Sequence, residues 1–250
     1  MLFDVYGTLI ISGAGDIGFV REPTENMSGV SNLLLRSGIN FTPDHLADLL
    51  NRAIERIHTT ARGQGIDYPE VDIVQVWRQV LGMDDLSRVK KFALEYELIV
   101  NPVYPMPGLE HLLLACKNRK IRMGIISNAQ FYTVDVLERF LGATLEKRGF
   151  DNRLLFFSWR EGHAKPSTVM FERAKEVLFG LGIPDESALV VGNDMRNDIL
   201  PAQAVGFKTA LFAGDRRSLR QRESDDCCRE LSPDLIVTDL RQLIAGTGDP

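Results

Sequence analysis

Cysteine is scarce in this chain, with three in 250 residues, at positions 116, 227 and 228. Three cannot build a disulfide framework, and they lack the paired spacing of a zinc site. A reducing, cytoplasmic setting is expected. No apolar run reaches transmembrane length, and no basic region followed by an apolar one opens the chain, so neither membrane insertion nor export is expected. A basic stripe is missing as well. The formal net charge is −5, which disfavours nucleic acid or an anionic membrane as a partner. The short basic runs Arg216-Arg217 and Arg220 to Arg222 read as the solvated face of a helix.

What is present is ordinary for a globular protein, 44% hydrophobic and 25% charged residues. The length suffices for one α/β domain, or for a core domain with a smaller insert. The first ten residues organise the rest. A short apolar run ends on Asp4 and Gly7 turns the backbone, which places the Asp4 carboxylate at the carboxyl end of a buried strand, where open α/β sheets bind their ligands. Three residues precede Asp4 where a full strand has five or six, so the start of that strand is expected upstream of this sequence.

Residues 12–18, Ser-Gly-Ala-Gly-Asp-Ile-Gly, contain the spacing G-x-G-x-x-G. A dinucleotide site also needs a helix opening on those glycines, then a strand ending in an acid some 20 residues on. No acidic residue lies between Glu25 and Asp44, so the glycines are read as a flap or hinge. From about Pro23 to Asn101 the pattern is helical. One helix is expected around Leu33 to Leu35 and a second after the cap Thr42-Pro43-Asp44, with Leu46, Leu49, Leu50 and Ile54 on one face. Two more are expected over Pro69–Leu81 and Asp85–Val100. Trp77 reads as packing, and Arg21, Arg36 and His45 as exposed.

After a linker marked by Pro102, Pro105 and Pro107, strands and helices alternate. Strands are expected at 121–126, 154–158, 188–191, 209–212 and 235–237, and helices near 130–141, 167–181, 196–205 and 216–230. With the Asp4 strand, this predicts an α/β, Rossmann-like parallel sheet. The core is residues 1–15 and 102–250, and an all-helical block, residues 16–101, is inserted after the first strand.

Polar groups follow three more strands. Ser127-Asn128 offers a hydroxyl, an amide and backbone N–H groups to an anion. Lys165, in Gly-His-Ala-Lys-Pro, offsets the charge of a carboxylate and an anionic substrate. The run Gly192-Asn193-Asp194-Met195-Arg196-Asn197-Asp198 concentrates oxygen donors suited to magnesium. Singly, each has an ordinary structural reading as a turn, a solvated lysine or a helix cap.

As an ordered set, Asp-x-x-Gly-Thr, Ser-Asn, Lys-Pro and Gly-x-Asp-x-x-Asn-Asp, the motifs resemble those of the haloacid dehalogenase superfamily. The helical block has the position and size of that superfamily's cap. The resemblance implies a hydrolase in which Asp4 is the nucleophile and passes through a covalent aspartyl intermediate. Thr8, Ser127 and the backbone around Asn128 would hold a small anionic substrate, and Lys165 would neutralise and orient Asp4. Asp4, the Tyr6 carbonyl, Asp194, Asp198 and Asn193 are the implied Mg2+ ligands. A monomer or homodimer is expected.

Two activities follow from different residues. Tyr6 stands where the superfamily's phosphatases carry a second aspartate, and Asp-x-Tyr-Gly-Thr-Leu resembles the 2-haloacid dehalogenases, whose departing halide needs no proton. Phe171 stands where those dehalogenases have tyrosine, and the acidic fourth motif resembles the metal-dependent phosphatases. Asn193 falls on the usual first metal aspartate. A magnesium-dependent phosphohydrolase is the leading expectation, followed by a metal-independent dehalogenase and then by a binding module without turnover.

Overall fold

The computed structural model describes residues 1–13 and 27–245. The expected flap and Arg21 lie outside them, apart from the first residues of the glycine run. In chain order the elements begin with β1 (Leu2–Phe3) and β2 (Ile10–Ser12). Four helices follow, α1 (Met27–Ser37), α2 (Pro43–Gly63), α3 (Ile73–Leu81) and α4 (Leu86–Val100), and then β3 (Val103–Pro105). The alternating part holds α5 (Leu109–Asn118), β4 (Met123–Ser127), α6 (Tyr132–Leu141), β5 (Phe150–Phe157), α7 (Ser158–Glu161), α8 (Val169–Gly180) and β6 (Leu189–Gly192). A π-helical turn, Met195–Ile199, leads into α9 (Leu200–Ala204), β7 (Lys208–Phe212), β8 (Leu235–Val237) and α10 (Gln242–Ala245).

The sheet is six-stranded, in the order β5-β4-β1-β6-β7-β8, and every pairing in it is parallel. β1 lies near its middle, with Phe3 level with Ile125 of β4 and with Val191 of β6. Asp4, Ser127 and Asn193 therefore leave three adjacent strands at one edge. Apolar side chains cover both faces. Phe3, Ile125, Leu112, Leu137 and Phe212 belong to one cluster, and Leu2, Ile126, Met170, Phe171 and Val190 to another.

The helical segment enters and leaves through a ribbon, because β2 pairs antiparallel with β3, Ile11 opposite Tyr104. A linker was expected there; Pro105 stands at the ribbon's end, where a missing N–H is tolerated. The four helices build a core of their own around Leu33, Leu46, Val76, Trp77 and Phe92. Trp77 meets Phe92 and Tyr96 edge to face, with centroids 5.2 and 4.8 Å apart. Three of them start on side-chain caps: Thr42, where the sequence suggests one, accepts from the His45 N–H, Asp72 from the Val74 N–H, and Asp85 from the Ser87 and Arg88 N–H groups.

Two expectations are corrected. α3 starts at Ile73 rather than Pro69, because Asp72 caps it and Pro69 pairs with His163 of the core. The expected helix at 216–230 is a run of turns. There Arg220 bonds backbone to backbone with Asn193 and Met195, and Arg222 has φ +55°, so the chain follows the fourth motif instead of coiling on itself. Among the described residues no helix is long and apolar enough to cross a membrane.

Trp77→Ala removes the largest side chain of the helical core and is expected to lower unfolding stability by about 3–5 kcal/mol. Urea unfolding reads this as a lower midpoint. A loss below about 1 kcal/mol would mean that the four helices do not depend on that ring.

Candidate active site

The Asp4 N–H donates to the Val191 carbonyl at 2.9 Å, continuing the β1–β6 ladder one residue past β1. The chain then folds back tightly, with the Val5 carbonyl accepting from the N–H groups of Thr8, Leu9 and Ile10. Gly7 sits at φ +84° in this turn, and a Cβ there would stand 2.6 Å from Asn193 Nδ2. Only glycine meets both demands.

Lys165 reaches into this turn from the loop between α7 and α8. Its Nζ donates to Asp4 Oδ1 at 2.7 Å, Asp198 Oδ1 at 2.5 Å and the Ile126 carbonyl at 3.3 Å, which uses all three ammonium protons. Asp4, Lys165 and Asp198 are all buried. Burial works to lower the lysine's pKa, but the charges of Asp198 and Asp4 outweigh it and hold the ammonium above the usual lysine range. Burial pushes the Asp198 carboxyl up to about 7 against the pull of Lys165. A Cβ at Gly192 would lie 2.2 Å from Asp198 Cγ, so the strand end leaves room for that carboxylate and little else.

Ser127 Oγ donates to the same Asp4 Oδ1 at 2.9 Å. The Asn128 side chain turns to the lysine loop. Its Oδ1 accepts from the Lys165 N–H at 2.7 Å, and its Nδ2 donates to the Lys165 carbonyl at 3.2 Å. The amide thus clamps the backbone that presents the lysine. Thr8 is fully buried, and its hydroxyl donates to Asn193 Oδ1 over a long 3.4 Å.

The fourth motif divides its acids. Asp194 caps the π-helical turn, accepting from the N–H groups of Arg196 and Asn197. It also receives a fork from Arg222, Nε at 3.1 Å and Nη2 at 2.6 Å. Asp198 serves Lys165 through Oδ1 and the Asp194 N–H through Oδ2. Asn193 Nδ2 donates to the Ser218 carbonyl at 2.6 Å. Among the described residues no three His, Cys, Asp or Glu side chains form a group able to hold a metal ion. Two oxygens do lack partners there: Asp4 Oδ2 and the Tyr6 carbonyl accept no hydrogen bond from the described residues.

The Tyr6 side chain is buried, with its hydroxyl 2.9 Å from Thr133 Oγ1. Burial, and secondly the charge of Glu97, push the phenol well above its ordinary pKa of 10. It keeps its proton at any physiological pH. Phe171 is fully buried among the apolar side chains of the second cluster. Arg36 pairs with Glu95, and the His45 ring stands edge-on to Phe41.

Three residues that brace the site or its junction with the helical segment carried no signal in the sequence. Glu70 accepts from Ser158 Oγ at 2.7 Å, Gln130 Nε2 at 3.1 Å and the Val71 N–H at 2.8 Å. Glu97 accepts from Tyr132 Oη at 3.0 Å and Asn101 Nδ2 at 2.9 Å. Burial raises the pKa of both carboxyls. Arg222 is the third, since its basic neighbours suggested only an exposed face.

Comparison with known proteins agrees with this geometry. The family model of haloacid dehalogenase-like hydrolases matches residues 1–206. A phosphoglycolate phosphatase of Pseudomonas putida is 28% identical over 194 residues, which are 74% of this chain and 60% of that protein. The match therefore spans less than two thirds of the relative's length. Among solved structures, a 2-haloacid dehalogenase from Pseudomonas syringae pv. Tomato superposes with a TM-score of 0.61 at 18% identity, covering 97% of this chain and 94% of that one. A HAD phosphatase from Thermococcus onnurineus gives a TM-score of 0.57 at 18% identity, covering 99% and 96%. At such identities the superpositions speak for the fold alone. An aspartate on the central strand, a lysine buried against it and a family match over most of its length make this chain a haloacid dehalogenase-like hydrolase.

Proposed function

We propose that the chain is a magnesium-dependent phosphohydrolase acting on a small phosphate ester or acyl phosphate, with Asp4 as nucleophile and the helical segment as a cap over the site. The observation that carries this reading is the convergence of Ser127 Oγ and Lys165 Nζ on one oxygen, Asp4 Oδ1. Two donors that meet at the nucleophile are in place to receive the oxygens of a phosphoryl group arriving there. The phosphatase name of the Pseudomonas putida relative points the same way.

Charge supports a divalent cation. With Asp198 ionised, Asp4, Asp194 and Asp198 face Lys165 and Arg222, which among these described side chains leaves one net negative charge to repel a phosphate dianion. Asp4 Oδ2 and the Tyr6 carbonyl, which accept no hydrogen bond from the described residues, and the weakly engaged Asn193 Oδ1 are hard oxygens suited to magnesium, which keeps several waters. In this reading Asp4, the Tyr6 carbonyl and Asn193 hold the ion, while Asp194 and Asp198 are spent on Arg222 and Lys165. Bound there, magnesium would offset the charge of the transferring phosphoryl group.

Asp4 Oδ1 then bonds to phosphorus as the bond to the leaving oxygen breaks, and water later cleaves the aspartyl phosphate. Lys165 and Ser127 hold the attacking carboxylate in line, and the protons they give to Oδ1 turn to the phosphoryl oxygens once Oδ1 is bonded to phosphorus. No acid stands two residues after Asp4, and the Tyr6 phenol is committed to Thr133. Leaving groups that depart as anions, such as aryl and acyl phosphates, are accordingly favoured. A second reading, metal-independent dehalogenation, draws on the same absence of a proton donor at Tyr6.

Hydrolysis of p-nitrophenyl phosphate and of 2-chloropropionate, each with magnesium and with a chelator, separates the two. Phosphate release abolished by the chelator, and reduced more than about 10³-fold by Asp4→Asn, is expected. Chloride release that ignores the chelator would establish the dehalogenase instead. Aryl phosphates are expected to outpace alkyl phosphates by about 10²-fold or more, and Tyr6→Asp to narrow that gap; equal rates on both would contradict the role given to position 6.

The metal assignment has its own test. Asn193→Asp is expected to tighten magnesium binding roughly tenfold by adding a charged ligand, and to lower stability by about 1–3 kcal/mol because the Ser218 carbonyl loses its donor. Asp194→Asn is expected to leave magnesium affinity unchanged. Calorimetric titration reads both, and weakened binding in Asp194→Asn would return that residue to the metal.

A further inference from the structure

The segment before α3, Tyr68 to Val71, lies against the two loops that carry Ser127 and Lys165. Pro69 pairs with His163 in an antiparallel bridge. The Glu70 N–H donates to the Gly162 carbonyl at 3.1 Å, and the Ala164 N–H donates to the Tyr68 carbonyl at 2.8 Å. This short ladder belongs half to the helical segment and half to the loop that ends on Lys165. The Glu70 carboxylate extends the contact to the other loop. It accepts from Gln130 Nε2 and from Ser158 Oγ, and Ser158 Oγ in turn accepts from the Ala129 N–H at 2.9 Å. Ala129 follows Asn128, whose side chain clamps the backbone of Lys165.

We infer that Glu70 is a positioning residue: by bridging Ser158 and Gln130 it adds a cross-brace between the loop after Ser127 and the segment leading to Lys165, so that both donors are held firmly on Asp4 while the helical segment is docked and loosely when it is not. A carboxylate without an ion-pair partner within the described residues is a costly group to place at such a junction. Of its three hydrogen bonds, the one from the Val71 N–H is local, and the two from Ser158 and Gln130 offset that cost only in the docked arrangement. Undocking withdraws Glu70 and the 68–70 ladder together. The two loops then keep their own links, Asn128 with Lys165 and Ala129 with Ser158, and lose the cross-brace. The inference rests on the proposed phosphohydrolase reading for its kinetic consequence and stands apart from it for its structural one.

Glu70→Ala and Ser158→Ala each remove one side of the bridge, and Glu70→Gln keeps an acceptor for one donor. The test measures turnover of p-nitrophenyl phosphate together with hydrogen exchange of peptides covering residues 126–130 and 158–166. For both alanine variants kcat is expected to fall about 10- to 100-fold with KM changed less than about threefold. Exchange is expected to quicken in those two peptides and not in the β6 and β7 strands. Glu70→Gln is expected to recover part of both effects. Unchanged local exchange in Glu70→Ala overturns the inference, whether or not the rate falls. So does a loss confined to KM, which would mark Glu70 as a direct substrate contact. A wild-type protein inert towards phosphates would defeat the proposed function alone, because the exchange measurement needs no substrate. Should Glu70→Ala fail to fold, Ser158→Ala and Glu70→Gln decide by the same criteria.

Discussion

The Lys165 ammonium, shut away between Asp4 and Asp198, is the interaction on which the rest of this structure depends. Three buried charges in a row tolerate little misplacement, since removing one leaves its neighbour uncompensated in a poorly solvated place, at a penalty of several kcal/mol. Each therefore has its own fixture. The sheet ladder fixes Asp4 through Val191, the Asn128 amide fixes the Lys165 backbone, and the bare edge of Gly192 admits Asp198. The strand register that aligns β4, β1 and β6 is thus a condition of the charge arrangement as much as of the hydrophobic core.

The same economy explains why the acid-rich fourth motif is not an acid-rich cage. Gly192 to Asp194 continue an extended strand, so successive side chains leave on opposite sides. Asn193 goes towards Gly7 and Ser218, and Asp194 goes towards the helix start and Arg222. Asp198, one turn on, comes back to Lys165. Asn193, Asp194 and Asp198, within six positions, serve three separate purposes, and their nearness in the sequence overstates their nearness in function.

Much of this was legible beforehand, for physical reasons. Parallel strands buried on both faces read as apolar runs, and Val190-Val191-Gly192 or Ile125-Ile126-Ser127 give themselves away by ending abruptly in polar groups. Helices announce their starts, as Thr42-Pro43-Asp44 does. What stayed hidden was every feature that depends on a partner distant in the chain. Arg222 looks like any basic residue until Asp194, 28 positions earlier, is beside it. The 216–230 segment has the composition of an exposed helix, yet its backbone is claimed by Asn193 and Met195. Pro69 and Glu70 resembled a helical first turn, and only contact with Gly162 and Ser158 shows them to be extended chain.

These hidden features share a location. Arg222, Pro69 and Glu70 each join a segment outside the sheet to a loop at the sheet's carboxyl edge, and none of the three belongs to the hydrophobic cores. Burial of apolar surface is non-directional and tolerant of sequence, so it can specify where strands and helices go without specifying how a loop holds a lysine. The directional work at the edge falls to hydrogen bonds: Asn128 on Lys165, Arg222 on Asp194, Glu70 on Ser158 and Gln130. A chain with the same apolar pattern but without those side chains would build the same sheet around a looser site. Differences in chemistry among proteins of this shape are accordingly to be sought first in the bonds that brace the edge loops, where the 66–72 and 213–222 segments meet the four motifs.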